Sequence, residues 1–480
     1  MPDAMKRSTA KKDVSQNTRK PGLNRVLGVG TAMLLVAGNM IGTGIFKKVV
    51  PMAQTGLSEN YILLAWLAAG LIVLFGAFTF AGLAKLTTES GGIYEYLRIA
   101  FGNLVSFLDG WGLFVIIGSG SIAAIAFIFA QSVNSLIPIP DPFYQWSHIS
   151  VVHSIYPFDS SGIKIFSVIT VTVLTWFNVR GVRNSGVLNN LVTSAKILGI
   201  LFLILAGLII ASPSVTHGAV VSDDAMAHAT AFVSVFMTAM LSAFWAYDGF
   251  TNVTAVAGEI KNPKRNIPIA ITTGVTLVMI LYLLINYAFM RAMPLGQLAA
   301  LGENKIAATE IAKKLLGNKG SVLISVLIML SSFGTLNIII LSYSRVYFRM
   351  AQTGVFFKGA SKIHPIFRTP YKALWYSMAW SCLLIASGTF DVLTNMVVFT
   401  GFAFYTLAAI ALIIFKKRKI ISSKIPGYPL APVLFIIFTA VFLAGILINN
   451  PRQSLTGTAL LFTGIPFYYY FRRKNRVKNQ

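Results

Sequence analysis

The sequence is short of charge, shorter still of acid, and almost without cysteine. Only 11% of its 480 residues are Asp, Glu, Lys or Arg, whereas a soluble globular chain carries about 25%. This excludes an ordinary soluble enzyme and a disordered or fibrous chain alike. Acidic residues number 15 against 40 basic ones, a net charge of +25. The one cysteine, Cys382, excludes an intramolecular disulfide, and its position inside an apolar run argues against a disulfide-linked partner subunit. Five histidines, His148, His153, His217, His228 and His364, all fall in loops or at the ends of apolar runs. No histidine stands opposite a serine within a run, so the GSGS at 118–121 lacks what a rhomboid-like protease needs. Tyr247 and Asp248 have no G-x-G-D partner of the kind an aspartyl intramembrane protease requires. No metal-ligand cluster is visible either, so neither catalysis nor a cofactor is expected.

What the sequence has in abundance is apolar length: 55% of residues are hydrophobic. Crossing a bilayer takes about 20 mostly apolar residues. Twelve such runs are predicted, at 26–55, 61–84, 102–135, 161–180, 187–211, 229–257, 268–292, 320–350, 373–390, 392–415, 430–449 and 454–471. No polar stretch between them is long enough for a soluble domain.

Lysine and arginine in the connecting loops set the orientation. With both ends on one side, and each span-end residue counted with its nearer loop, 31 of the 40 basic residues fall on that side and 9 on the other. Both termini are therefore expected in the cytoplasm, in a multi-pass protein of the plasma (inner) membrane. The same distribution disposes of nucleic acid as a partner, because the basic residues follow topology across every inner loop and contact anionic lipid headgroups of the bilayer there. Residues 1–24 are polar and basic without a cleavable apolar segment, and read as a cytoplasmic tail.

Two runs differ from the rest. The first reads GVGTAMLLVAGNMIGTGIF, with a small, glycine-containing break at 38–44. The sixth reads FVSVFMTAMLSAFWAYDGFTNVTAVAGE, with its break at 245–250. Each is the first of a set of five runs, the pattern of an inverted-repeat transporter whose site lies at the bilayer midplane. Unwinding a helix in hydrocarbon strands backbone groups at several kcal/mol apiece unless a ligand or cavity water satisfies them. Freed amides then face an anion and freed carbonyls an ammonium, an arrangement that fits a zwitterionic amino acid. A packing seam is the alternative for the first break, since Gly38 and Gly42 form G-x-x-x-G.

Several segments together resemble the amino acid-polyamine-organocation superfamily, and within it the L-amino acid transporter family and its bacterial relatives. They are GNMIGTGIF at 38–46, ESGGIYEYLRIAFG at 89–102, AFWAYDGF at 243–250, GEIKNPKRNIPIAI at 258–271, SSFGTLN at 331–337, SRVYFRMAQTG at 344–354 and PGYPLAP at 426–432. The resemblance covers nearly the whole chain. It implies an all-α membrane protein of about twelve helices with the LeuT-type five-plus-five inverted repeat. The core is then 25–420, followed by two additional spans at 421–472 and a tail at 473–480.

Residue by residue, the resemblance implies that the amides of Thr43 and Gly44 hold the substrate carboxylate, with Gly42 making room. Carbonyls of Met40, Ile41 and Trp245 would hold the ammonium, and Trp245 would close over the substrate from outside. Lys196 would stand where sodium-coupled members bind sodium, and Tyr282 would reach the same unwound region. Snorkelling remains open for Lys196, and ordinary packing for Tyr282. Asp248 reads either as the N-cap of the second half of the sixth span or as a proton or ammonium site. It is counted with Gly249 among the substrate contacts, and Phe399 and Tyr405 of the tenth span are expected to select side-chain size. Asp109 is a further buried acid without an assigned role.

The expected function is alternating-access transport of L-amino acids, as sodium-independent exchange of neutral substrates. Proton-coupled symport is the alternative. A channel would need a filter or rings of like charge, and neither pattern is present.

Overall fold

The computed structural model describes residues 27–86, 92–150, 156–180, 185–210, 229–302, 305–387 and 390–476. The N-terminal tail at 1–24 and the last four residues of the C-terminal tail, 477–480, lie outside these residues. Among the described residues, nine helices are long and apolar enough to cross a membrane. The remaining three predicted spans coincide with helices Ala229–Tyr247 and Tyr371–Ser387 and with the pair Pro451–Phe462 and Gly464–Arg476. The protein is thus an all-helical, multi-pass membrane protein.

The first span is helix Val29–Met40, a break, and then the short helices Gly44–Lys47 and Val49–Ala53. The sixth is helix Ala229–Tyr247, a turn, and a 3-10 helix Asn252–Glu259. The second break therefore begins after Tyr247 and not at Trp245, which closes the last turn of its helix. The segment beyond it winds more tightly than an α-helix. Both broken spans share one face of the bundle at one end: the amide of Lys261 donates to the carbonyl of Leu27 at 2.8 Å, tying the end of the sixth span to the start of the first.

Departures from uniform helix have local causes. The third span passes from Asn103–Gly112 through a π-helical turn, Leu113–Ile117, into Gly118–Asn134. In the eighth, Gly317 is left-handed (φ 69°) and separates a lead-in segment from the apolar run predicted from 320. Between the second and third spans, Gly92–Phe101 forms a helix of its own, with Tyr94, Tyr96 and Leu97 buried.

Lipid tails are as apolar as leucine, so helices associate in a membrane through close packing and hydrogen bonds and not through a hydrophobic drive. Small residues mark where backbones approach. A Cβ on Gly274 of the seventh span would stand 2.8 Å from Val36 of the first. One on Gly70 of the second would stand 2.7 Å from Met279 of the seventh and 2.8 Å from the Tyr247 hydroxyl. First, second, sixth and seventh spans thus enclose the two breaks, with Trp66, Tyr247 and Tyr282 fully buried between them.

Candidate functional site

The first break can be followed bond by bond. The helical ladder ends where Ile41 N–H donates to Ala37 O at 2.7 Å; Gly42 N–H then turns back to Met40 O, also at 2.7 Å. This deprives the carbonyls of Gly38 and Asn39 of their usual donors one turn on. Lys196 takes up the first: its Nζ donates to Gly38 O at 3.0 Å and to Thr335 Oγ1 at 2.8 Å. At 3% exposure it faces the bundle interior, so snorkelling to the membrane surface is not its conformation. Tyr282 takes up another, its hydroxyl lying 2.6 Å from Met40 O and 3.0 Å from Ala246 O. Having one proton, it donates to one of the two breaks at a time. Among the described residues nothing donates to Asn39 O.

On the other side of the break, the amides of Thr43 and Gly44 open helix Gly44–Lys47 and have no carbonyl one turn back to accept them. The Thr43 hydroxyl is buried and has no hydrogen-bond partner among the described residues. A buried hydroxyl left unpaired costs about 1–3 kcal/mol. The two neighbouring glycines differ. A Cβ on Gly42 would meet nothing closer than 3.9 Å, whereas one on Gly44 would stand 2.6 Å from the Ala246 backbone. Gly44 is required by the approach of the sixth span, and Gly42 keeps the cavity open. Gly38 packs directly on Thr193 of the fifth span, so the seam reading of G-x-x-x-G holds for its first glycine only.

The second break is held differently. Asp248 N–H donates to Trp245 O at 3.3 Å, Gly249 is left-handed (φ 98°), and Asn252 N–H donates to Gly249 O at 3.1 Å. Asp248 does not cap the following helix, whose N-cap is Thr251. Its carboxylate instead accepts from the Tyr405 hydroxyl at 2.7 Å.

The two breaks meet at one small cavity. Of the residues named from the sequence, Met40, Gly42, Thr43, Gly44, Trp245, Asp248 and Gly249 line it. Ile41 is fully buried away from it. Lys196 and Tyr282 stand behind the first break, Tyr405 acts through Asp248, and Phe399 is not brought to the cavity. The expected carbonyls also rearrange, because Met40 O and Trp245 O already accept from Gly42 and Asp248 amides, while Asn39, whose carbonyl accepts from no donor among the described residues, lines the cavity. Sequence reasoning passed over Asn39, Ser121, Asn252, Thr335 and Tyr343, the other polar residues of the lining, which Ile125 and Ile339 complete. Four of these lie in segments quoted above, Asn39 in GNMIGTGIF, Ser121 in GSGS, Asn252 in the sixth run and Thr335 in SSFGTLN.

The cavity is closed on the side beyond the first break. Lys48 Nζ lies 2.6 Å from Asp391 Oδ1 and 2.7 Å from Thr394 Oγ1, and Lys47 Nζ donates to Gln131 Oε1 at 3.0 Å. Both ammonium groups stand over the Phe390 ring, at 4.8 and 4.9 Å from its centroid. Phe390 in turn meets Trp245 edge-on at 6.0 Å. Lys47 and Lys48 are thus buried in the protein, 3% and 1% exposed, and not in a loop.

Comparison with known proteins brings these observations together. The family model described as amino acid permease matches residues 27–470. The serine/threonine exchanger SteT of Bacillus subtilis (strain 168) is 30% identical over 464 residues, 95% of this chain and 99% of the relative. The large neutral amino acids transporter small subunit 2 of Mus musculus is 27% identical, over 95% of this chain and 83% of its own. The b(0,+)-type amino acid transporter 1 of Homo sapiens is 25% identical, over 97% of this chain and 92% of its own.

Proposed function

The chain belongs to the amino acid permease family, a family of transporters and not of enzymes, and from that premise we propose that it exchanges small neutral L-amino acids across the plasma membrane. The observation that carries this reading is the pairing of unmet groups across one cavity. Thr43 and Gly44, with the opening amides of their helix and the unpartnered Thr43 hydroxyl, line the same cavity as Asn39, whose carbonyl is unmet, and the acidic Asp248. A carboxylate fits the first set and an ammonium the second.

The remaining lining residues described are uncharged, with short Ser121 and Thr335 and aliphatic Ile125 and Ile339 beside the rings of Trp245 and Tyr343 that narrow the space. That favours a small substrate without a charged side chain, the class to which serine and threonine belong. Lys196 supports sodium independence: a lysine ammonium on a carbonyl freed by the break supplies the positive charge that a bound sodium would. Exchange follows if the occupied carrier reorients readily and the empty one, with its break groups unmet, does not. The ion-paired closure around Lys48, Asp391 and Phe390 is the outer gate in this scheme. The inner side is the cytoplasmic one, with both termini there, as the excess of basic residues directs. No residue beyond 420 lines the cavity, in keeping with the site residing wholly in the ten-span core at 25–420.

Proteoliposome uptake tests the proposal. Labelled L-serine should enter faster when unlabelled L-serine, threonine or alanine is inside, and should be indifferent to sodium. Uptake driven by a proton gradient without internal substrate would replace exchange with symport, and strong sodium dependence would overturn the role given to Lys196.

A further inference from the structure

A second cavity lies on the inner side of the substrate cavity, and the two share a wall: Asn252 and Tyr343 line both. Tyr405, which donates to Asp248 in the substrate cavity, lines the inner one. Asp109 of helix Asn103–Gly112 lies on the inner cavity with Tyr94 and Thr254, close to where the third span leaves the membrane. It is 7% exposed, and among the described residues it makes neither a hydrogen bond nor an ion pair.

A carboxylate placed at membrane depth with no partner costs about 2.5 kcal/mol or more, and such groups mark paths for ions or substrates. A structural acid would be capped or paired, as Asp391 is by Lys48. Among the described residues no lysine or arginine lines either cavity, so Asp109 faces no cation there. The cavity it lines is mostly apolar, from Ile93, Leu113, Ile117, Val346 and Phe404, with neutral polar groups from Tyr94, Thr254, Tyr343 and Asn252. A divalent metal would ask for several carboxylates or imidazoles, and among the described residues no group of three such ligands exists. A single carboxylate on a cavity whose other polar groups are neutral suits a primary ammonium, which has three protons to donate to it and to those groups.

Resting on the exchange of amino acids proposed above, we infer that Asp109 forms a transit subsite for the substrate ammonium on the inner side of the Tyr343–Asn252 wall. Asp248 and Asp109 then flank that wall, and the ammonium passes from one carboxylate to the other as the wall parts. The substrate carboxylate has no counterpart charge in the inner cavity, so this subsite holds the amino acid by one end and releases it to the cytoplasm.

The test measures half-saturation separately on the two faces. Full-length protein is reconstituted with its sidedness established, and L-serine exchange is recorded against internal and external L-serine for the parent, Asp109→Asn and Asp109→Glu. Asp109→Asn should raise the internal KM roughly tenfold, the range for loss of a charge-assisted hydrogen bond, and leave the external KM unchanged. Asp109→Glu should restore most of the loss. Equal shifts on both faces, or no shift on either, would overturn the subsite, and so would a change confined to the pH profile, which would mark a proton site instead. Thermal unfolding of each variant guards against misfolding, and Asp109→Ser gives a second neutral variant should Asn fold poorly. A parent that exchanges serine while Asp109→Asn behaves identically refutes the subsite alone; a parent that exchanges no amino acid refutes the function.

Discussion

The two breaks look alike as sequence, each a short glycine-containing interruption of an apolar helix, yet they are held by opposite means. The first is stitched from outside: Lys196 of the fifth span, Thr335 of the eighth and Tyr282 of the seventh supply or brace the donors that its carbonyls lost. The second is held mostly by its own chain, through the turn at Asp248, left-handed Gly249 and a 3-10 helix, with Tyr405 the one outside contact on its carboxylate. Side chains anchored in three other helices make a fixed set of acceptors. A self-contained turn running into 3-10 helix, whose hydrogen-bond geometry is poorer, makes a joint. On the function proposed above, the first break would be the more rigid side of the site and the second, which also carries Asp248, the side that moves.

Removing Lys196 tests the anchored break most severely. Lys196→Met should lower the exchange rate about a hundredfold, since a buried charged donor worth about 1.5–3 kcal/mol is lost and Gly38 O is left unmet. Transport at the parental rate, with unchanged thermal unfolding, would reduce the lysine to packing. Tyr282→Phe removes the one hydroxyl shared by both breaks; a roughly tenfold loss of rate is expected from a single buried hydrogen bond. The joint is probed by Gly249→Ala, which puts a Cβ at φ 98° and 3.1 Å from Asn39 O. Left-handed geometry alone costs about 1–2 kcal/mol, and the variant should unfold at a lower temperature while its KM for serine changes less than its rate. Trp245→Ala opens the outer cover and should raise the external KM about fivefold, by loss of an aromatic contact worth about 1 kcal/mol. Phe399→Ala, away from the cavity, should leave KM for serine and leucine unchanged, and a shift in their ratio would return it to the site.

Much of the fold was legible because hydrocarbon imposes a length on every crossing segment, and the runs at 61–84, 161–180 and 430–449 nearly coincide with helices Glu59–Leu83, Ser161–Arg180 and Leu430–Asn449. The breaks were legible for the complementary reason, that small polar residues have no other use in the middle of such a run. The burial of Lys47 and Lys48 could not be seen in the sequence, because it depends on Asp391 and Gln131, hundreds and tens of residues away in the chain. Asn39 escaped notice because what matters is its backbone oxygen, and which carbonyl a break leaves unmet follows from a single turn, Gly42 bonding back to Met40. Phe399 was placed at the cavity by its span alone, and helical periodicity does not say which face meets a neighbour.

What the sequence by itself determined is the number of crossings, the sense of insertion expected from its lysines and arginines, and the existence of two interrupted helices. These depend on local composition against the fixed thickness of a bilayer. Only the tertiary structure decided that Lys196 and Tyr282 meet the first break, that Asp248 bonds Tyr405 in place of capping a helix, and that Asp109 stands unpaired on a second cavity. Each of those depends on which helix faces turn toward one another, and a buried polar group's partner is set by that geometry and not by its neighbours in the chain.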